Sequence, residues 1–168
     1  MKVVYHWKMS NLQSANVTIM IRAARKASMK LRRDYGEVTQ LQVSSKGPAD
    51  FVTAADIRTE KILLESLSQA RPGYGFLMEE SGKINGDNNK RWIIDPIDGT
   101  TNFIHGIPHF AISIALEEDG EITTGVIYEP INDQMFWAEK GNGAWLNERR
   151  IRVSNRNDMN QSIFATGI

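Results

Sequence analysis

The sequence predicts an α+β domain in which two N-terminal helices pack on a mostly antiparallel sheet. Two observations support this fold. Apolar residues recur at helical spacing in two long N-terminal segments, residues 12–35 and 53–69. Short β-rich segments separated by turn residues follow, from about residue 74 to residue 153. Helices that come first and strands that come after predict a layered α+β arrangement.

Composition narrows the function classes. The chain has 168 residues and a formal net charge of zero, which gives no bulk attraction to nucleic acid or anionic membranes. Cysteine is absent, which excludes disulfides, cysteine-bound zinc and thiol catalysis. No stretch is apolar enough to span a membrane or to act as an export signal, so we expect a cytoplasmic protein. Because Met9 resembles a natural start, we expect residues 1–10 to be an extension and residues 11–168 to form the domain.

The first helix is predicted to end at Gly36, a residue type that commonly follows a helix. Its basic residues are interpreted as a solvated face. A polar connection over residues 37–51 follows, with a strand-like patch at 41–43 and a flexible turn at 46–48. The apolar face of the first helix consists of Met20, Ala24, Ala27 and Leu31.

The second helix is predicted to begin at Thr53, a good N-cap residue. Asp56 would then lie in the first turn, where its charge suits the helix dipole. A strand over residues 74–78 delivers Glu79 and Glu80, which point to opposite faces. Residues 83–90 are predicted to form a loop, and residues 162–168 a strand-like tail. Further strands are predicted at 109–117, 122–128, 134–138, 144–146 and 151–153.

The most informative stretch is residues 91–103. Its apolar run stops at Asp95, so a buried strand reaches the surface there. Asp95 and Asp98 flank the turn at Pro96, and this turn can aim the carbonyl of Ile97 at the same point. Oxygen ligands of this kind suit a hard cation such as Mg²⁺.

A helix start is predicted just after this turn, with Thr100, Thr101 and Asn102 as cap-type residues. The free N–H groups of Gly99, Thr100 and Thr101 would attract a phosphate. The simpler alternative is that Asp98 only forms an Asx-turn and the threonines only cap the helix.

The stretch Trp92-Ile-Ile-Asp-Pro-Ile-Asp-Gly-Thr-Thr-Asn-Phe103 resembles the signature of the inositol monophosphatase family, which contains lithium-sensitive, Mg²⁺-dependent phosphatases. Segments 50–56, 76–81 and 108–114 agree with it. The resemblance covers only the N-terminal part of the family. Its second α/β domain, with a further ligating aspartate in a Trp-Asp motif, is missing from this sequence.

The resemblance implies roles for particular residues. Mg²⁺, or Mn²⁺ as a substitute, would be the cofactor. Lys46 is a possible further residue near the metal. Asp56 would gain a role at the metal cluster beside its helix-dipole role. The implied catalytic residues are Glu79, Thr100 and Asp56, the metal ligands are Glu79, Asp95, Ile97 and Asp98, and the substrate-binding residues are Asp98, Gly99, Thr100 and Thr101.

The implied reaction is hydrolysis of a small phosphate monoester by metal-activated water. Inositol monophosphate and related sugar or nucleotide phosphates are all candidate substrates. We expect a homodimer, with no membrane partner, and nucleic acid is not an expected partner. The alternative is a catalytically incomplete metal-binding fragment or a regulatory interaction module. A third interpretation is an ordinary α+β domain whose carboxylates only form turns.

Overall fold

A computed structural model describes residues 13–41 and 48–164. Within them, helix α1 spans Ala15–Leu41 and helix α2 spans Pro48–Ala70. The two helices pack against each other and on one face of an eight-stranded sheet. The predicted α+β fold is therefore confirmed. None of the helices in the described part of the chain has the length and hydropathy that crossing a bilayer requires.

Helix α1 does not end at Gly36, as the sequence predicted, but continues to Leu41. Gly36 keeps a helical backbone, and the extra turn brings Val38 into full burial. Burial of a valine side chain is worth about 1.5–3 kcal/mol, which outweighs the cost of about 1 kcal/mol for a glycine inside a helix. The strand-like patch predicted at 41–43 is also wrong at its first residue, Leu41, and its other two residues lie outside the described ranges.

Helix α2 begins at Pro48, not at Thr53. Proline is favoured in the first turn of a helix because its fixed φ suits the helix and its missing N–H is not needed there. Thr53 therefore lies inside the helix and is not its N-cap. Asp56 lies more than two turns from the helix start, so the predicted interaction with the helix dipole is wrong.

The sheet has the strand order β2-β1-β3-β4-β5-β6-β7-β8. All neighbouring pairs are antiparallel except β1 and β3, which run parallel. The mostly antiparallel sheet is thus confirmed. The strands are β1 Gly75–Met78, β2 Gly82–Ile84, β3 Lys90–Asp98, β4 Ala111–Glu118, β5 Glu121–Glu129, β6 Gln134–Glu139, β7 Gly143–Leu146 and β8 Arg149–Ile151. Between β3 and β4 lies a short helix α3, Thr100–Ile104, and a 3₁₀ turn occupies Met159–Gln161.

Strand β2 lies partly where the sequence predicted a loop. It forms a hairpin with β1 on the outer edge of the sheet, which leaves the inner side of β1 free for β3. Because β2 reverses the chain, β3 runs in the same direction as β1. In the predicted strand-like tail, residues 162–164 have no strand, and residues 165–168 lie outside the described ranges.

Side chains along the strands alternate between two environments. One face packs under α1 and α2 and forms the core, with Trp92, Ile112, Leu116 and Val126 fully buried. Side chains on the opposite face are half-buried or exposed. Across that second face, one register row is apolar from β1 to β8 and ends in Lys83 on β2: Leu77, Ile93, Ala115, Gly125, Ala138, Ala144 and Ile151.

Candidate metal centre

The parallel pairing of β1 and β3 brings two acidic residues together. Met78 is in register with Ile94, so the residues that follow them, Glu79 and Asp95, emerge side by side. The Glu79 N–H donates a hydrogen bond to the Ile94 carbonyl at 3.3 Å, which ties the two strand ends together. The two carboxyl groups also hydrogen-bond to each other.

The turn from Asp95 to Asp98 is held by its own hydrogen bonds. Asp95 Oδ1 accepts from the Ile97 N–H at 3.1 Å, and the Ile97 carbonyl accepts from the Thr100 hydroxyl at 2.9 Å. The pairing of β3 with β4 shifts register between Asp95 and Asp98. A bulge of this kind re-aims side chains at a strand end.

Gly99 then reverses the backbone with φ of 96° and acts as the N-cap of α3. A Cβ atom here would lie 3.0 Å from the His109 carbonyl oxygen, so both conformation and space require glycine. The helix start predicted after the turn is confirmed. The predicted side-chain cap is wrong, because the N-cap residue is Gly99, which has no side chain to cap the helix. The Asn102 side chain donates to the His109 carbonyl and does not cap the helix start.

Helix α3 is fixed to the core by aromatic packing. Phe103 is fully buried, and its ring lies edge-on to Tyr35 of α1 and to Phe110. The Tyr35 hydroxyl donates to the Gly106 carbonyl at 2.6 Å. The start of α3 is therefore supported by the core, although Thr100 is only half-buried and Thr101 is exposed.

Two carboxyl groups at this end of β1 and β3 have strongly raised pKa values. Burial, followed by the charges of Glu80 and Glu79, raises the pKa of Asp56 to about 7. Burial, followed by the hydrogen bond and charge of Glu79, raises the pKa of Asp95 to about 7, and the charge of Asp98 adds to this effect. The edge is thus an acidic cluster that includes a residue from α2 as well as the two strand ends.

The described residues contain no group of three or more Asp, Glu, His or Cys side chains arranged to hold a metal ion. The cluster nevertheless suits a hard cation in its chemistry, because its donors are carboxylate and carbonyl oxygens. Carboxylates this close repel one another, and a divalent cation between them would relieve that repulsion. Glu79, Asp98 and Thr101 are exposed, whereas Thr100 is half-buried. Lys46 lies outside the described residues.

Sequence reasoning missed Glu60. Its side chain is only 2% exposed, and its carboxylate accepts hydrogen bonds from the turn that carries Glu79. A signal for it was present, because Asp56, Glu60, Leu63 and Leu67 fall at helical spacing on one buried face of α2. Acidic residues on an otherwise apolar helix face indicate specific polar partners.

The family profile described as "Inositol monophosphatase family" matches residues 13–168. This chain belongs to the inositol monophosphatase family. The resemblance carried by residues 92–103 is thereby confirmed.

Within this family, an inositol-1-monophosphatase of Caulobacter vibrioides is 59% identical over 152 residues, covering 89% of this chain and 59% of that protein. The Nus factor SuhB of Xylella fastidiosa is 43% identical, covering 93% of this chain and 56% of that protein. A crystal structure of the extragenic suppressor protein suhB from Bartonella henselae matches with a TM-score of 0.77 and 60% identity, over 85% of this chain and 56% of that one. The chain therefore spans less than two thirds of the length of each of these three relatives.

Proposed function

We propose that this chain provides the metal-binding part of a Mg²⁺-dependent phosphate-monoester hydrolase. The observation that supports this proposal is the acidic edge formed by Glu79, Asp95 and Asp98, where β1 and β3 end side by side. Membership of the inositol monophosphatase family supports a phosphatase reaction. The proposed substrate is inositol monophosphate or a related sugar or nucleotide phosphate.

The donors suit one divalent ion or more. Glu79, Asp95, Asp98 and the Ile97 carbonyl would hold Mg²⁺, with Mn²⁺ as a substitute. When bound, such an ion lowers the pKa of water and polarises a phosphoryl oxygen.

The remaining roles fall to neighbouring groups of the chain. Glu79 and Thr100 would orient the attacking water, the Glu79 carboxylate would accept its proton, and Asp56 would support them from the buried side of the cluster. The proposed phosphate contacts are Asp98 and the backbone of Gly99, Thr100 and Thr101. The aromatic packing of Phe103 would keep these backbone groups in place, since preorganised donors stabilise charge most effectively.

Family members of greater length suggest how the site is completed. We propose that residues 11–168 correspond to the first domain of the family, that residues 1–10 are an extension, and that a further ligand comes from outside this sequence. We expect this chain alone to bind the ion but to hydrolyse substrate at least a hundredfold more slowly than a full-length relative, because small misplacements of reacting groups cost about that much. A homodimer and a cytoplasmic location remain part of the proposal.

Titration calorimetry with MgCl₂ and MnCl₂ tests the metal site directly. A matched phosphate-release assay compares this chain with the full-length Caulobacter vibrioides relative on inositol monophosphate, a sugar phosphate and a nucleotide 3′-phosphate. Absence of divalent binding by this chain would refute the proposed metal site. Equal turnover by the two proteins would refute the proposed need for a ligand from outside this sequence.

A regulatory or interaction role is the second candidate. The observation in its favour is that relatives 40–43% identical to this chain are named Nus factor SuhB. The discriminating result is a full-length protein that binds Mg²⁺ through Asp95 and Asp98 yet releases no phosphate from any ester tested.

A further inference from the structure

Glu60 is a buried acid whose carboxylate accepts hydrogen bonds from one turn. Its carboxylate accepts from the Glu80 N–H at 2.9 Å, from the Ser81 N–H at 3.1 Å and from the Ser81 hydroxyl. The side chain is 2% exposed and lies on the face of α2 that also carries Asp56. Three donors therefore converge on this one carboxylate.

This turn carries Glu79, and it is anchored on both sides. On the sheet side, the Glu79 N–H donates to the Ile94 carbonyl of β3. On the helix side, the next two N–H groups, those of Glu80 and Ser81, donate to Glu60. The side chain of Glu79 itself stays exposed at the sheet edge, next to Asp95. The backbone on both sides of Glu79 is therefore fixed while its carboxylate remains available.

The position of Glu60 is unfavourable unless it has a specific task. Burying a carboxylate is costly, and the charge of Glu60 also acts on Asp56 in the same acidic cluster. An apolar residue would fit the pattern of Leu63 and Leu67 on the same face of α2. The three hydrogen bonds to the turn offset the burial, and they place that turn relative to α2.

We infer that Glu60 is a positioning residue, which holds the turn of residues 79–81 so that the Glu79 carboxylate stays beside Asp95 for a divalent cation. The inference rests on the metal site of the proposed function. Glu60 itself need not touch the ion. Outer groups that orient ligands typically change metal affinity by about 10–100-fold when they are lost.

The test compares four proteins: the unsubstituted chain, Glu60→Gln, Ser81→Ala and Glu65→Gln. Glutamine has the size of glutamate, but an NH₂ donor takes the place of one carboxylate oxygen and faces the N–H donors of the turn. Ser81→Ala removes one hydroxyl donor and keeps both backbone bonds, so it provides a milder change. Glu65→Gln makes the same chemical change at an exposed position of the same helix.

Two readouts are needed, both well below the melting temperature. Amide hydrogen exchange followed by NMR reports the Glu80 and Ser81 N–H groups directly, and calorimetry with MnCl₂ reports the cation affinity. For Glu60→Gln we expect faster exchange of both amides and a dissociation constant raised by about tenfold or more. We expect a smaller shift in the same direction for Ser81→Ala and no change for Glu65→Gln.

Unchanged exchange of both amides in Glu60→Gln would overturn the inference, and so would faster exchange with unaltered Mn²⁺ affinity, which indicates a merely structural role. If the Glu60→Gln protein does not fold, the same two criteria apply to Ser81→Ala. Failure of the proposed metal site looks different, because then the unsubstituted chain itself binds no Mn²⁺ while exchange still shows whether Glu60 holds the turn.

Discussion

Replacing Thr100 by alanine separates turnover from metal binding. The Thr100 hydroxyl donates to the Ile97 carbonyl at 2.9 Å, and that carbonyl is a proposed metal ligand. The same hydroxyl is assigned to the attacking water. Loss of the hydroxyl therefore removes one local hydrogen bond in the resting protein and, by hypothesis, an interaction that matters mainly in the transition state.

The structure sets the size of the first effect. A neutral hydrogen bond of this kind contributes about 1 kcal/mol, so Thr100→Ala should lower the free energy of unfolding by about that amount. If the loss of this hydrogen bond were transmitted fully to the metal through the Ile97 carbonyl, about 1 kcal/mol would correspond to roughly a fivefold weaker metal affinity. Loss of water positioning should instead lower kcat by about a hundredfold or more.

The assay uses a full-length protein, where turnover is measurable, with kcat, KM and the Mg²⁺ dissociation constant determined for each variant. Thr100→Ser keeps the hydroxyl and should restore most of kcat. Thr123→Ala is the matched control, since its hydroxyl also bonds within the sheet, to the Glu118 carboxylate at 2.8 Å, away from the acidic edge. Equal losses of Mg²⁺ affinity and kcat in Thr100→Ala would show that Thr100 is only structural.

Three further predictions concern charge. Asp98→Asn should weaken Mg²⁺ binding by about tenfold or more, measured by calorimetry, and an unchanged affinity would remove Asp98 from the site. Changing Asp34 to Asn should lower the free energy of unfolding by about 2 kcal/mol, because the Asp34 side chain is 1% exposed and ion-paired with two basic residues. Changing the exposed Arg33 to Ala should lower it by under about 0.5 kcal/mol. Similar urea midpoints for the two variants would contradict this prediction. The Lys90 ammonium lowers the pKa of Glu118 below its ordinary 4.5. The Lys90–Glu118 pair therefore stabilises the folded state fully above pH 4.5, and this stabilisation is lost as the pH falls through the lowered pKa of Glu118. Unfolding midpoints of Glu118→Gln and the unsubstituted protein should therefore converge in acid, and a constant gap down to pH 3 would oppose the assignment.

The parts of the fold that the sequence predicts well depend on local chemistry. The strands predicted at 109–117 and 122–128 correspond to β4 and β5, and between them Asp119 and Gly120 adopt φ of 52° and 83°, as a tight hairpin turn requires. The helix after Gly99 follows from turn residues in the same way. Neighbouring residues set these features, so the sequence carries the signal directly.

The sequence-based predictions of the fold fail where contacts between residues far apart in the sequence determine the structure. Gly36 does not end α1, because the helix continues until Val38 joins the buried core, to which strands distant in the sequence also contribute. The short polar strand β2 lacks an apolar pattern and exists through its pairing with β1. The parallel pair of β1 and β3 has no local signal either, although it alone brings Glu79 next to Asp95.

The candidate site shows the same division. Asp95 and Asp98 stand within one turn and were predicted from spacing and resemblance. Glu60 was missed because its partners, Glu80 and Ser81, are about twenty residues away in the chain and meet it only after folding. A buried acid on an apolar helix face predicts that partners exist, but it does not say which ones.

The strand order also affects when the acidic edge can form. Every hydrogen-bonded strand pair is consecutive in the chain except β1 and β3, which skip only β2. Pairing between near neighbours closes short loops, which costs little entropy and favours fast folding. Ribosomes add about 5–20 residues per second, so each new strand meets a partner that has already been made. Strand β4 comes after all the acidic residues of this region, Asp56, Glu60, Glu79, Asp95 and Asp98. The acidic edge can therefore assemble on the nascent chain before the second half of the sheet has been synthesised.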